Sequence, residues 1–343
     1  MKQLVVIFTL WLAWMPVGAQ KMLTLEECLK LGIENNLSLE GSRNEMRKAK
    51  HLLSENRAKL WPQISAVAGF NDNFNPPVSV TDGSAYGNLY NVTKTLQYNA
   101  SAGLQLQMPL YNQTVYTAVD IARTLNELNR LSYEKAREDL MMQISKMYYL
   151  GQNTMEQLTL IQENMVRLRE LRDITLAFFD NGMAMEVDVK RVNINLENQQ
   201  VQYDNAKSML VQQLNLLKYV MDYPAEEEIT LTPVDTERMQ SASLTGLRGD
   251  LYELQLLQSQ EKLAGQQKDL IRQGYLPSLT LTGSWMYSAY TDKARHWFHS
   301  GPSNHWYPST GLGITLRVPI FDGFDKRARI RKAQIDQENA RLN

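Results

Sequence analysis

One uninterrupted helical stretch restricts this fold more than any other feature. From Val115 to Phe179 no proline occurs and only Gly151 intervenes, so about 65 residues are expected to run as one helix of roughly 100 Å. A second arm, from about Ala184 to Met221, carries Val189, Val192, Leu196, Gln199, Tyr203, Ala206, Leu210, Leu214, Leu217 and Met221, spaced by threes and fours. That rhythm predicts a coiled-coil seam. Leu158, Ile161, Met165 and Leu168 answer it on the first arm, and Phe179-Asp180-Asn181-Gly182-Met183 supplies the turn between them. The arms are therefore expected to pack antiparallel with their tip near Gly182.

The remainder of the chain must anchor this hairpin. Charged residues make up 21% of the 343 and the formal net charge is −1, so nothing in the electrostatics favours nucleic acid or an acidic surface partner. Met1 to Gln20 opens on Lys2, continues in an apolar run from Leu4 to Met15, and ends in Val17-Gly18-Ala19. These are the parts of a secretory signal peptide over 1–19, with a retained membrane anchor as the alternative. Cys28 is the single cysteine, which excludes an internal disulfide. No later window is apolar enough for a transmembrane helix, so any membrane insertion is expected to use strands.

The chain changes period twice. Thr24 with Glu27 makes a capping box for a helix from Leu25 to about Glu34, and a second helix follows from about Ser38 to Leu60, where Trp61-Pro62 stops it. Ile64, Ala66, Ala68 and Phe70 then alternate with polar or small residues, as do Ala102, Leu104, Leu106 and Met108. Between these two strands, 71–96 is expected to be a long polar loop. Pro109-Leu110-Tyr111-Asn112 closes the second strand. Beyond Tyr223-Pro224, the segment through Thr230 to Pro233 is expected to be extended or linker-like, and Leu247 to Ile271 helical up to Leu276-Pro277. Leu279, Leu281, Gly283 and Trp285 alternate next; a second polar loop covers about Ser288 to Ser309; and Leu312, Ile314, Leu316 and Val318 alternate before Pro319-Ile320-Phe321-Asp322-Gly323 hands over to a helix, Phe324 to Asn343. The order helix, proline stop, strand, loop, strand, proline handover, helix thus occurs twice, about 210 residues apart, and indicates an internal duplication. Its parts are 20–222, a connecting segment 223–246, and 247–343.

Strands of about 8 to 11 residues with one apolar face have the length and pattern of a tilted membrane crossing. A soluble β-sandwich alternates likewise, but needs neither export nor such long helices. Ile64, Ala66, Phe70, Leu104, Leu106, Leu279, Leu281, Leu312, Ile314 and Leu316 are expected to face lipid, with Gln, Ser, Thr and Arg317 towards a wet lumen. Four strands cannot close a barrel, and open edges are not tolerated in lipid. The chain must therefore oligomerise, and three copies would give twelve strands. Trp61, Tyr111, Trp285, Tyr287 and Tyr290 are expected near strand ends as an interfacial girdle.

With these elements in place the chain resembles the TolC family of outer-membrane efflux and secretion channels. The matching residues are Leu25-Glu26-Glu27 with Asn35-Asn36-Leu37, Trp61-Pro62, Leu276-Pro277, Pro319-Ile320-Phe321-Asp322-Gly323, and Phe178 to Gly182 followed by Asp188-Val189. Met183 stands where the family usually has Leu, and Arg248-Gly249-Asp250-Leu251 where it often has Arg-Pro-Asp-Leu. The resemblance implies a mainly α, α+β fold: a homotrimer with a twelve-stranded outer-membrane barrel and a periplasmic α-helical tunnel. It implies a periplasmic adaptor at the tip, meeting Gly182, Met183, Asp188 and Val189, and an inner-membrane RND or ABC transporter behind that adaptor. A plain helix-turn-helix accounts for Gly182 and Asp188 equally well. The second repeat departs from the family in ending about 20 residues into its outgoing helix, roughly 30 Å, as a truncated product or fragment would.

No other constellation points to chemistry. His296, His299 and His305, interleaved with Trp297 and Trp306, match no metal-ligand spacing and fall in an expected outer loop. Asp322-Gly323 is better explained as a turn with an N-cap, and Glu226-Glu227-Glu228 as an exposed charge run, than as catalytic groups. No cofactor and no enzyme activity are expected. Passive conduction across the outer membrane is the expected function; a periplasmic coiled-coil adaptor or an inactive channel fragment are the alternatives.

Overall fold

The computed structural model describes residues 21–82, 90–233, 251–291 and 306–342. In chain order the elements are β1 (Lys21–Leu23), α1 (Leu25–Asn35), α2 (Leu37–Ala58), β2 (Gln63–Asp72), β3 (Val78–Asp82), β4 (Tyr90–Lys94), β5 (Tyr98–Tyr111), α3 (Gln113–Asp180), α4 (Glu186–Met221), β6 (Ile229–Leu231), α5 (Tyr252–Gln273), β7 (Ser278–Thr291), β8 (Trp306–Arg317) and α6 (Asp325–Leu342). They form two compact units, one of residues up to Met46 with Arg130–Glu253, the other of Arg47–Asn129 with Leu254 onwards. The expected signal peptide, the histidine cluster and Arg248-Gly249-Asp250 lie outside the described residues.

The first unit is built on the helical hairpin. The long stretch is one helix of 68 residues, and the return arm one of 36. Of the expected seam, Val189, Ala206, Leu217 and Met221 are buried and the other six positions half-buried. Ile161 and Met165 of α3 meet Ala206, with Leu158, Leu196 and Tyr203 around them. Towards the far end of the seam the core widens, as Leu23, Cys28, Leu39, Ile144, Tyr148, Leu217, Met221 and Leu231 close on one another.

Two short strands belong to that core. Of the two readings of Thr230 to Pro233, the extended one holds at its start: β6 pairs in parallel with β1, Lys21 opposite Ile229 and Leu23 opposite Leu231. Three-residue strands carry too little pattern to be read from sequence. Their side chains explain Gly151, however. A Cβ there would sit 2.7 Å from Leu231 Cδ1, so the glycine that weakens the helix locally makes room for the strand. Tyr148 Oη donates to Leu23 O at 3.2 Å and Gln152 Nε2 to Thr232 O at 2.6 Å, tying the sheet to α3.

The polar break at Asn35-Asn36 has a clear cause. Asn36 Oδ1 accepts the Leu39 N–H as an N-cap of α2, while its Nδ2 donates to Val220 O, both at 2.9 Å. The capping box of α1 forms as expected: Glu27 Oε2 accepts the Thr24 N–H at 2.9 Å and Thr24 Oγ1 accepts the Glu27 N–H at 3.3 Å. The Thr24 N–H, then its hydroxyl, hold the Glu27 carboxyl below its ordinary pKa. A depressed carboxylate stabilises the fold above its unfolded pKa, and that contribution is lost as pH falls through the folded value. Acid titration of the melting temperature should therefore show a loss below the usual carboxylate range, which Glu27→Gln reduces; identical acid limbs for the two proteins would rule it out.

The second unit holds a four-stranded antiparallel sheet, in the order β2-β5-β7-β8. Its strands run 10, 14, 14 and 12 residues, longer than alternation alone marked. β5 continues past Pro109 to Tyr111 through a register irregularity. β7 reaches Thr291, which places Trp285 in mid-strand rather than at an end. β8 starts at Trp306, inside the expected loop, and α5 starts at Tyr252 with Leu251 ahead of it. The expected loop 71–96 also contains a hairpin, β3 against β4, with Val80 opposite Val92. Val78, Val80 and Val92 favour extended backbone, but the surrounding Asn, Asp, Gly and Pro mask so short an alternation.

Candidate functional site

Two places gather the residues singled out by sequence. The first is the sheet. In an antiparallel ladder directly opposed residues share a face. Ile64 lies opposite Leu106, Ala66 opposite Leu104, and Phe70 opposite Ala100; Leu104 opposite Trp285 and Met108 opposite Leu281; Leu279 opposite Leu316, Leu281 opposite Ile314, and Gly283 opposite Leu312. All ten residues expected to face lipid therefore share one face. On the edge strands β2 and β8, Ile64, Phe70, Leu312, Ile314 and Leu316 are each more than half exposed.

The opposite face carries Gln63, Ser65, Gln105, Gln107, Thr282, Ser284 and Thr315, with Gly103, Gly311 and Gly313 between them. Arg317, opposite Ser278, is its only charged side chain among the described residues. Among the described residues, one outer edge of β2 and one of β8 have no partner strand. Among the described residues no helix is long and apolar enough to cross a membrane.

After β8 the chain turns into α6 through the proline handover. Asp322 Oδ1 accepts the Phe324 N–H at 3.1 Å and Oδ2 the Lys326 N–H at 3.2 Å, with Lys326 Nζ also 3.2 Å from Oδ2. Asp322 thus acts as the helix cap. Gly323 and Phe324 both have positive φ, 66° and 67°.

The second place is the tip. Met183 N–H donates to Phe178 O at 2.8 Å and Gly182 N–H to Phe179 O at 2.9 Å, the paired bonds of a Schellman ending, with Gly182 at φ 72°. The N-cap position of α4 is Met185, whose N–H donates to Asp188 Oδ2 at 3.2 Å. Gly182 and Asp188 therefore shape the turn. Met183 is exposed, whereas Val189 is buried in the seam. Met185 and Val187 are the exposed apolar residues that sequence reasoning passed over; their offset from the seam positions was the available signal.

Among the described residues no other site competes. Burial pushes the Cys28 thiol up to about 11, which leaves it protonated and inert. Among the described residues no group of His, Cys, Asp and Glu could hold a metal ion.

A family model described as outer membrane efflux protein matches residues 29–221. The chain belongs to that family. It is accordingly an outer-membrane protein of the TolC kind, with a periplasmic helical portion. The outer membrane protein TolC of Vibrio cholerae is 23% identical over 325 residues, covering 90% of this chain and 68% of that protein. The outer membrane protein VceC of Vibrio cholerae shares the fold with a TM-score of 0.72 at 14% identity, over 93% of this chain and 74% of the other. The open-state MtrE outer membrane channel of Neisseria gonorrhoeae does so with a TM-score of 0.66 at 20% identity, over 92% and 68%. The mainly α, α+β architecture of this outer membrane efflux protein is thus that of known outer-membrane channels.

Proposed function

We propose that this chain is the channel subunit of a tripartite efflux pump or type I secretion system, passively conducting substrates received from a periplasmic adaptor and an inner-membrane RND or ABC transporter. The observation that carries the reading is the sheet: one apolar face, one uncharged polar face with Arg317 at its end, and two open edges. In lipid those edges must pair. Because β2 and β8 run in opposite directions, β8 of one copy can meet β2 of the next without breaking the antiparallel alternation. Three copies then close twelve strands, with Ile64, Ala66, Phe70, Leu104, Leu106, Leu279, Leu281, Leu312, Ile314 and Leu316 outward.

The helices support the same assembly. Ile194 and Val201, seven apart on α4, are both more than half exposed, a second stripe available to another copy. The repeats 20–222 and 247–343, joined by 223–246, each supply one strand pair. At the tip, Gly182 and Asp188 set the turn, Val189 holds it to the neighbouring arm, and Met183, with Met185 and Val187, offers the apolar contact for the adaptor.

Expression with its own leader in a Gram-negative host should yield a heat-sensitive trimer in the outer-membrane fraction on unboiled gels; soluble monomer would overturn the reading. In that trimer, Met183→Asp with Val187→Asp should cut adaptor cross-linking by about tenfold, equivalent to about 1.4 kcal/mol. Unchanged cross-linking would remove the tip assignment and leave the channel standing.

A further inference from the structure

The turns on either side of the sheet's open edges expose large apolar side chains. Trp61, two residues before β2, is 71% exposed; Ile320 and Phe321, just after β8, are 94% and 76% exposed. Phe324 is held at φ 67°, a backbone state that bulky residues rarely adopt, and packs edge-on to Phe321 with ring centroids 5.5 Å apart. It is nevertheless 64% exposed. Nothing among the described residues covers the group.

We propose that Trp61 of one copy docks against Ile320 and Phe321 of the next, forming an intersubunit latch at the inner end of the barrel. This rests on the trimeric channel reading, and the strand ends indicate the placement. At the level of Gln63, the first residue of β2, the ladder passes through Gln107 and Thr282 to Gly313. The other three strands continue four residues further at that end, to Tyr111, Ser278 and Arg317. The inner margin therefore steps along the strand direction from β2 into the rest of the sheet. Closing a barrel requires tilted strands and a fixed stagger. Continued in the same sense, that stagger sets the first residues of the next copy's β2 beside Val318 to Phe321. Pairing there is antiparallel, so Trp61 arrives from one side as Ile320 and Phe321 leave from the other. The strained Phe324 then braces Phe321 from behind, and the four side chains cover one another where the edge strands run out of ladder hydrogen bonds.

The test is disulfide trapping in a Cys28→Ala background, which removes the only native cysteine. Trp61→Cys is combined with Ile320→Cys or with Phe321→Cys, outer membranes are treated with copper phenanthroline, and non-reducing denaturing gels are run beside unboiled gels. The expected result is loss of the monomer band into covalent dimers and trimers for at least one pair, reversed by reductant. Trp61→Cys with Leu276→Cys, which leads into the inner strand β7, should leave monomer only. An unboiled trimer with no cross-link from either pair would overturn the latch while the channel reading stands; that is also the outcome if Trp61 faces lipid. Absence of any trimer from the unsubstituted protein would overturn both.

Discussion

Leu104→Arg should abolish assembly of the trimer in the outer membrane, while Gln105→Arg, one residue along the same strand, should leave it intact. Leu104 sits in the middle of β5, flanked by Ala66 and Trp285 on the apolar face; Gln105 sits between Ser65 and Ser284 on the polar face. On the barrel proposed above, arginine near the middle of the face turned to lipid costs about 2–4 kcal/mol per site, and a trimer carries the change three times. That sum is comparable to the whole stability of many folded proteins, about 5–15 kcal/mol. In the lumen the same side chain stays hydrated. The measurement is the yield of heat-sensitive trimer per cell for each variant, followed by urea unfolding of whatever assembles. Equal loss from both substitutions would mean that the two faces do not divide lipid from water, and the barrel reading would fail with them.

The contrast between neighbours is strong because the period of a strand is two, and this is also why the sheet was legible before the structure. A slip of one residue in any strand would have moved its apolar residues to the other face. The three registers instead bring Ile64, Leu104, Leu281 and Ile314 onto one face, and the irregularity between Pro109 and Tyr111 lies beyond them. The seam of the helical hairpin was legible for the same kind of reason: ten positions at threes and fours outvote any single ambiguous residue.

What stayed hidden was short or relational. Three residues of β6 and five each of β3 and β4 give too few alternations to stand out from their polar surroundings. The exposure of Met185 and Val187 beside buried Val189 depends on which way α4 rotates as it leaves the tip. Spacing placed Val189 in the seam and the family resemblance placed it at the adaptor contact; burial assigns its side chain to the seam. The part of the candidate site that depends on another copy, from the strand edges to the Trp61 and Phe321 turns, has no signature within one chain beyond unexplained exposure.

The hairpin in turn depends on a small number of side chains where its two arms meet β1 and β6. Leu217 is fully buried there, in one cluster with Ile144, Met221, Cys28 and Leu231. Leu217→Ala removes its outer methyl groups from a packed site bordered by α1, α3 and both short strands, none of which can close the gap without shifting the others. Such truncations cost about 2–5 kcal/mol, the spread reflecting how far the surroundings relax. The upper half of that range is expected, because the neighbours come from four separate elements. Tyr219→Ala, two residues away and 77% exposed, should change stability by no more than about 0.5 kcal/mol. Limited proteolysis of the periplasmic portion against temperature, with the detergent-solubilised protein, reads both. A lowered midpoint for Leu217→Ala alone would place the structural centre of the hairpin at β1 and β6; matching midpoints would mean that the long seam holds the arms together without that cluster.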